Sequence, residues 1–83
     1  MTHTLKTWPE YYKAIQDGTK TFEIRKFDRQ FEVGDILLLQ EWDNKTEQYT
    51  GREIARRIIY ILTGHVNKFG LFNDYCIMSI SKI

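Results

Sequence analysis

The 83-residue chain has a net charge of +1, a hydrophobic share of 42% and one cysteine, Cys76. This predicts a single domain, 1–83, and excludes a disulfide within the chain. A balance so close to neutral offers no general attraction to polyanions, so any nucleic-acid surface must rest on a local patch.

The apolar runs at 36–39 and 58–62 are far shorter than the roughly 20 residues that cross a bilayer. No early basic-then-apolar segment reads as a secretory signal. A cytoplasmic protein is expected, with the oligomeric state open and a monomer the simplest reading.

In chain order, His3 to Lys6 reads as a short edge strand. Thr7-Trp8-Pro9-Glu10 has the order of a capping box, with proline tolerated in the first turn. A helix is predicted from Trp8 to Asp17, its apolar stripe built from Trp8, Tyr11, Tyr12 and Ile15 at i, i+3, i+4, i+7. Gly18 then ends the helix in the left-handed conformation.

The next stretch, Thr21-Phe22-Glu23-Ile24-Arg25, alternates as a strand does. Phe22 and Ile24 are expected to face the core, with Glu23 and Arg25 together on the opposite side. Four cations (Lys20, Arg25, Lys26, Arg29) stand here against Glu23 and Asp28, a local net of +2. The segment from Lys26 to Glu32 looks too charged to bury.

The run Ile36 to Leu39 suits a strand covered on both faces. Residues 40–42 continue it outward, and 43–47 have the polarity of a hairpin tip. Tyr49-Thr50-Gly51-Arg52 opens the return strand, with Gly51 marking a bulge. That strand should be long and bent, because its alternation breaks at Ile58-Ile59. Gly64 to Asp74 reads as a loop, with one helical turn at Lys68 to Phe72. Tyr75 to Ile80 alternates again, placing Cys76, Met78 and Ile80 on one face. The fold class is therefore α+β: a small, mixed, partly open β-barrel with one N-terminal helix packed against it.

The order Gly-x-Lys-x-x-Glu-x-Arg, carried by Gly18, Lys20, Glu23 and Arg25 and followed by Val33-Gly34-Asp35 before an apolar strand, resembles the ASCH domain of the PUA-like superfamily. The resemblance covers essentially the whole chain and points to a small single-domain branch. It implies a PUA-like barrel with a cleft between the helix, the loop after it and the neighbouring strands, where Lys20, Glu23 and Arg25 would sit. In ASCH-like enzymes that remove acyl groups from modified cytidine, the matching lysine is catalytic and works with a strand threonine. Here Glu23 occupies that threonine position, and a carboxylate beside a lysine is a partner ion or a general base.

From the residues themselves, Lys20, Glu23 and Arg25 can line a polar pocket or form an ion pair on a solvated sheet. If the long strand lies near the motif strand, Arg52, Arg56 and Arg57 would join Lys26 and Arg29 in one phosphate-sized field. The alternative pairs Arg56 or Arg57 with Glu41 or Glu32. Tyr49, Trp42 and Phe27 are candidate stacking faces for unpaired bases, while Trp8 and Tyr11 are assigned to the core.

His3, His65 and Cys76 match no zinc spacing, so no metal is expected. No phosphate-cradling or dinucleotide fingerprint is present, so no cofactor is expected either. The leading expectation is a module that binds RNA or a nucleotide-like ligand through Lys20, Thr21, Glu23, Arg25, Lys26, Arg29, Tyr49, Arg52 and Arg56. The alternatives are a small hydrolase of modified nucleosides or RNA with Lys20 and Glu23 as the reacting pair, and an accessory interaction domain without a ligand. In the leading reading Lys20 is a cation that holds an anion or a carbonyl oxygen, not a nucleophile.

Overall fold

The computed structural model describes residues 1–63 and 74–83. Strand β1 (Thr2–Thr7) is followed by helix α1 (Pro9–Gln16), then β2 (Phe22–Lys26), β3 (Ile36–Asp43), β4 (Gln48–Thr63) and β5 (Tyr75–Ser81). The helical turn expected at Lys68 to Phe72, and the loop around it up to residue 73, lie outside the described residues.

The five strands form one mixed sheet in the order β1-β3-β4-β5-β2, curled into a half-barrel. β1 runs parallel to β3, and every other neighbouring pair is antiparallel. Curling brings the two edge strands towards each other, and the Arg25 Nη2 on β2 donates to the Lys6 carbonyl on β1 at 2.8 Å. Among the described residues no helix is long and apolar enough to cross a membrane.

The core fills the concave side. Leu37 and Leu39 from β3, Ile58 from β4, and Cys76, Met78 and Ile80 from β5 pack with Leu5 and with Ile15 of α1. The alternation expected for β5 is present. In β3 only one face is closed: Leu37 and Leu39 are fully buried, whereas Ile36 and Leu38 are half-buried, because α1 covers the inner face alone.

β4 is long and bent, as its broken alternation predicts. Ile58 pairs with Ile80 and Tyr60 with Ser79, so Ile59 is an extra residue that bulges the strand. The hairpin tip also lies where expected, with the Asp43 Oδ1 accepting from the Lys45 and Thr46 backbone N–H groups at 2.9 and 3.3 Å.

The entry into α1 differs from the capping box. Trp8 is the N-cap and no side chain caps the helix. Thr7 instead ends β1 with its side chain buried against the neighbouring strands. Proline at the first helical position removes one orphan N–H, which lessens the need for a cap. Tyr12 and Ile15 are buried as expected, but Trp8 and Tyr11 are 49% and 45% exposed.

At the other end Gly18 has φ = 83°, with open space where a Cβ would lie. Gly18→Ala should therefore cost only backbone strain, about 1 kcal/mol, measurable by urea unfolding. A cost of zero would mean that the left-handed turn is not required.

Strand β2 is inverted relative to expectation. Its pairing sets Glu23 opposite Met78 and Arg25 opposite Cys76, and residues paired across a sheet point to the same face. Because Met78 and Cys76 are fully buried, Glu23 and Arg25 turn inward. Glu23 is 3% exposed, while Phe22 and Ile24 are 40% and 48% exposed.

The loop after β2 adds an apolar residue to the core. Phe31 is buried beside His3 and Phe27. The segment from Lys26 to Glu32 thus has a buried anchor despite its charge.

Candidate functional site

The inward turn of Glu23 builds the site. A carboxylate on the inner face of an edge strand needs compensating charge, and two cations supply it. The Lys20 Nζ lies 2.8 Å from the Glu23 Oε1, and the Arg25 Nε lies 2.7 Å from the Glu23 Oε2.

Lys20 reaches there because the chain leaving α1 is folded back, its N–H and that of Thr19 both donating to the Ala14 carbonyl. Its ammonium also donates to the Phe22 carbonyl at 2.8 Å and lies 4.7 Å from the Phe22 ring. Arg25, two residues along the strand from Glu23, is on the same face by the alternation of β structure. Its Nη2 bonds the Lys6 carbonyl and contacts the Thr7 Oγ1 at 3.3 Å.

These residues lie in a cleft of about 600 Å³ between the two sheet edges and the start of α1. Trp8, Tyr11 and Phe22 provide aromatic wall, and Ile24 adds an aliphatic side. Trp8 and Tyr11, assigned to the core from their helical spacing, are thus cleft residues. That spacing places them beside Tyr12 and Ile15 but does not say how far the sheet extends beneath the first turn.

Lys6 contributes to the lining, but its ammonium is engaged elsewhere. It alternates with buried Leu5 and Thr7, so its side chain turns outward and its Nζ sits 3.8 Å from the Trp42 ring centroid. The cationic groups of the cleft are therefore Lys20 and Arg25.

A family model described as a domain of unknown function, DUF3850, matches residues 2–80. The chain belongs to that family. The match runs from the start of β1 into β5, stopping one residue short of its end, and so includes both walls of the cleft. The DUF3850 chain is also 39% identical over 56 residues to an uncharacterised 12.9 kDa protein in the GpA 3′ region of Escherichia phage P2. The aligned part covers 68% of this chain and 50% of that relative, so the chain spans about half the length of the curated relative it matches.

The second basic group of the DUF3850 chain does not join the first. β5 lies between β4 and β2, which separates Arg52 and Arg56 from the motif strand. Between the pairs Trp42↔Tyr49 and Gln40↔Glu53, Glu41 alone on β3 opposes the three residues Thr50 to Arg52 on β4. Gly51, at φ = 93°, turns this bulge. As a result both Thr50 and Arg52 point at one carboxylate.

Thr50 Oγ1 lies 2.7 Å from the Glu41 Oε1. The Arg52 Nε and Nη2 form a fork at 2.8 and 3.0 Å to the two Glu41 oxygens. The partner of Glu41 is thus Arg52, in place of the expected Arg56 or Arg57. Glu41 itself, expected to lead outward, is 2% exposed.

The other expected cations are engaged too. Arg56 donates to the Ala55 carbonyl at 3.0 Å and Arg57 to the Gly34 carbonyl at 3.3 Å. Lys26 lies 3.7 Å from Asp74, and Arg29 lies 3.7 Å from Asp28. Thr21 is exposed, and its carbonyl accepts the Ile80 N–H. Tyr49 packs edge-to-face on Trp42, 4.9 Å between centroids, on the side where Lys6 sits. Phe27 packs against the core.

The buried polar pair that sequence reasoning missed is His3 with Asp35. The His3 Nε2 lies 2.7 Å from the Asp35 Oδ2, which also accepts the Glu32 N–H at 3.1 Å. Its one sequence signal was His3 standing at the inward phase of a strand that also buries Leu5. His65 lies outside the described residues. Among the described residues no group of three or more potential metal ligands converges.

Proposed function

We propose that this chain is an ASCH-type, PUA-like binding module that holds RNA or a nucleotide-like ligand in the Lys20/Glu23/Arg25 cleft. The observation that carries the reading is the pairing of aromatic walls with donors left over at the cleft floor. Lys20 has three N–H donors and spends two, on the Phe22 carbonyl and on Glu23. The Nη1 of Arg25 has no hydrogen bond among the described residues, since its Nε and Nη2 make the contacts to Glu23, Lys6 and Thr7. Donors beside stackable rings suit an unpaired base or nucleotide. The curled half-barrel with a helix against its inner face supports the PUA-like reading.

Glu23 favours recognition over hydrolysis in this proposal. Both of its oxygens are engaged by cations, so the carboxylate organises the floor and is not poised as a free general base.

Trp8 gives an internal reporter. In a Trp42→Phe background, titration with a single-stranded RNA oligonucleotide or with mononucleotides should change Trp8 fluorescence. Lys20→Ala and Arg25→Ala should each weaken binding about tenfold or more, since a charge-assisted contact is worth about 1.5–3 kcal/mol. Lys20→Arg should keep measurable binding, whereas Glu23→Ala should disturb it. The affinity should fall with salt at a slope of roughly −0.7 per phosphate engaged. A flat titration with both ligands would remove the proposal. Turnover of an acylated cytidine, lost in Lys20→Ala, would replace it with the hydrolase reading.

A further inference from the structure

A strand of nucleic acid and a single nucleotide ask different things of a site. A strand needs a groove whose cations follow its backbone and whose rings take one base after another. A single nucleotide needs one hollow, one anion contact and enough ring to flank one base. The cleft, at about 600 Å³, has the size of a small-molecule pocket.

Its cations do not form a track. Lys20 keeps its third N–H, and its Nζ lies 4.7 Å from the Phe22 ring and 5.8 Å from the Tyr11 ring, so an anion held there stands beside the aromatic wall. Arg25 spends its Nε and Nη2 on Glu23, Lys6 and Thr7. Its Nη1 therefore faces away from the Glu23 carboxylate, and Lys20 and Arg25 do not converge on one group. With Glu23 between them, the three carry a formal charge of +1, which balances one monoanionic phosphate and no second. Among the described residues Lys6 is the one other cation that lines the cleft, and its ammonium is held on Trp42.

Beyond Trp8 the sign of the charge reverses. The indole also borders a second hollow, formed with Pro9, Glu10, Asp43, Asn44 and Lys45. Glu10 and Asp43 outweigh Lys45 there, a formal −1. A strand leaving the cleft past Trp8 would bring its next phosphate against like charge, which costs free energy. Towards β2 the border is the exposed apolar pair Phe22 and Ile24, which offers a phosphate no donor.

We infer that the cleft is a single-nucleotide site, taking one ring against Trp8, Tyr11 and Phe22 and one phosphate at Lys20, as a free nucleoside monophosphate presents them, and not a strand passing through. The inference rests on the proposed nucleotide-binding role and narrows it to one unit.

The test is a length series on the intact chain, by calorimetry and by Trp8 fluorescence in the Trp42→Phe background. The probes are the four nucleosides, their 5′-monophosphates, and 5′-phosphorylated single-stranded RNA of two, four and eight residues. The best-bound monophosphate is expected to bind about tenfold or more tighter than its nucleoside, because it gains one charge-assisted contact. No oligonucleotide should bind more than about threefold tighter than that monophosphate. The salt slope should stay near −0.7, the value for one phosphate, at every length. Glu10→Gln with Asp43→Asn, which removes the like charge beyond Trp8, should raise the affinity of the eight-residue RNA about threefold and leave the monophosphate within about twofold.

An affinity that climbs with each added nucleotide, with a salt slope that steepens alongside it, would overturn the single-unit reading and leave the binding role standing. A nucleoside bound as tightly as its monophosphate would overturn the phosphate contact at Lys20, and an eight-residue RNA unmoved by the double substitution would overturn the barrier assigned to the second hollow. Failure of every nucleoside, monophosphate and RNA would overturn both the inference and the role beneath it.

Discussion

Leu39→Ala is expected to lower the unfolding free energy by about 2–5 kcal/mol, while Ile24→Ala lowers it by less than about 1 kcal/mol. Both are large aliphatic residues in strands, and composition does not separate them. Leu39 is fully buried in the core cluster, whereas Ile24 is 48% exposed. A domain of this length has about 4–12 kcal/mol of stability in total, so the Leu39 variant should sit close to unfolding and the Ile24 variant should not. Urea titration followed by circular dichroism gives both numbers. A loss at Ile24 as large as that at Leu39 would mean that β2 turns its apolar face inward, and the cleft floor would then no longer exist as described.

That contrast shows where the sequence was legible and where it misled. The alternation in Tyr75 to Ile80 identified its buried face correctly because both neighbours of β5 are strands and one side of it meets the core. The same alternation in β2 identified two faces but not which was inner. The usual rule, apolar inward, fails for β2 because it is an edge strand whose register is set by β5. In the phase adopted Glu23 stands opposite Met78, and Phe31 from the following loop joins the core cluster. A one-residue slip would reverse every side chain, and nothing local in five residues decides it.

Inward charges on an edge strand also guard the edge against pairing with other chains. In β2 the residues that do so, Glu23 and Arg25, are the ones that floor the cleft, so the apolar rule fails at the candidate site itself. The spacing allowed Lys20, Glu23 and Arg25 to come together but left open a polar pocket or an ion pair on a solvated sheet. The aromatic walls were not legible, because Trp8 and Tyr11 share a helical stripe with residues that are truly buried. The separation of Arg52 from that group depends on β5 lying between β4 and β2, a matter of strand order that periodicity does not reveal.

Acid should destabilise the domain through two carboxylates, and the sign follows from their surroundings. The Asp35 carboxyl is held below the ordinary carboxylate range chiefly by its hydrogen bond to His3, with the N-terminal ammonium and the Glu32 N–H adding to it against the cost of burial. The Glu41 carboxyl is held down first by the Arg52 fork and then by Thr50, against burial and the nearby charge of Asp43. A carboxylate whose folded pKa lies below its unfolded one contributes stability that is complete above the unfolded value, about 4. The contribution drains away as pH falls through the lower, folded value.

Stability measured by urea unfolding should therefore hold from neutral pH down to about 5 and then fall steeply towards pH 2. Asp35→Asn and Glu41→Gln should each be less stable at neutral pH and should each flatten the acid limb. Arg52→Ala should lower stability at neutral pH as well, because it leaves the Glu41 carboxylate buried without its fork. Unlike the glutamine, it should also move the Glu41 midpoint upward. If the wild type and all three variants trace parallel curves between pH 5 and 2, neither carboxylate is held by the contacts assigned to it.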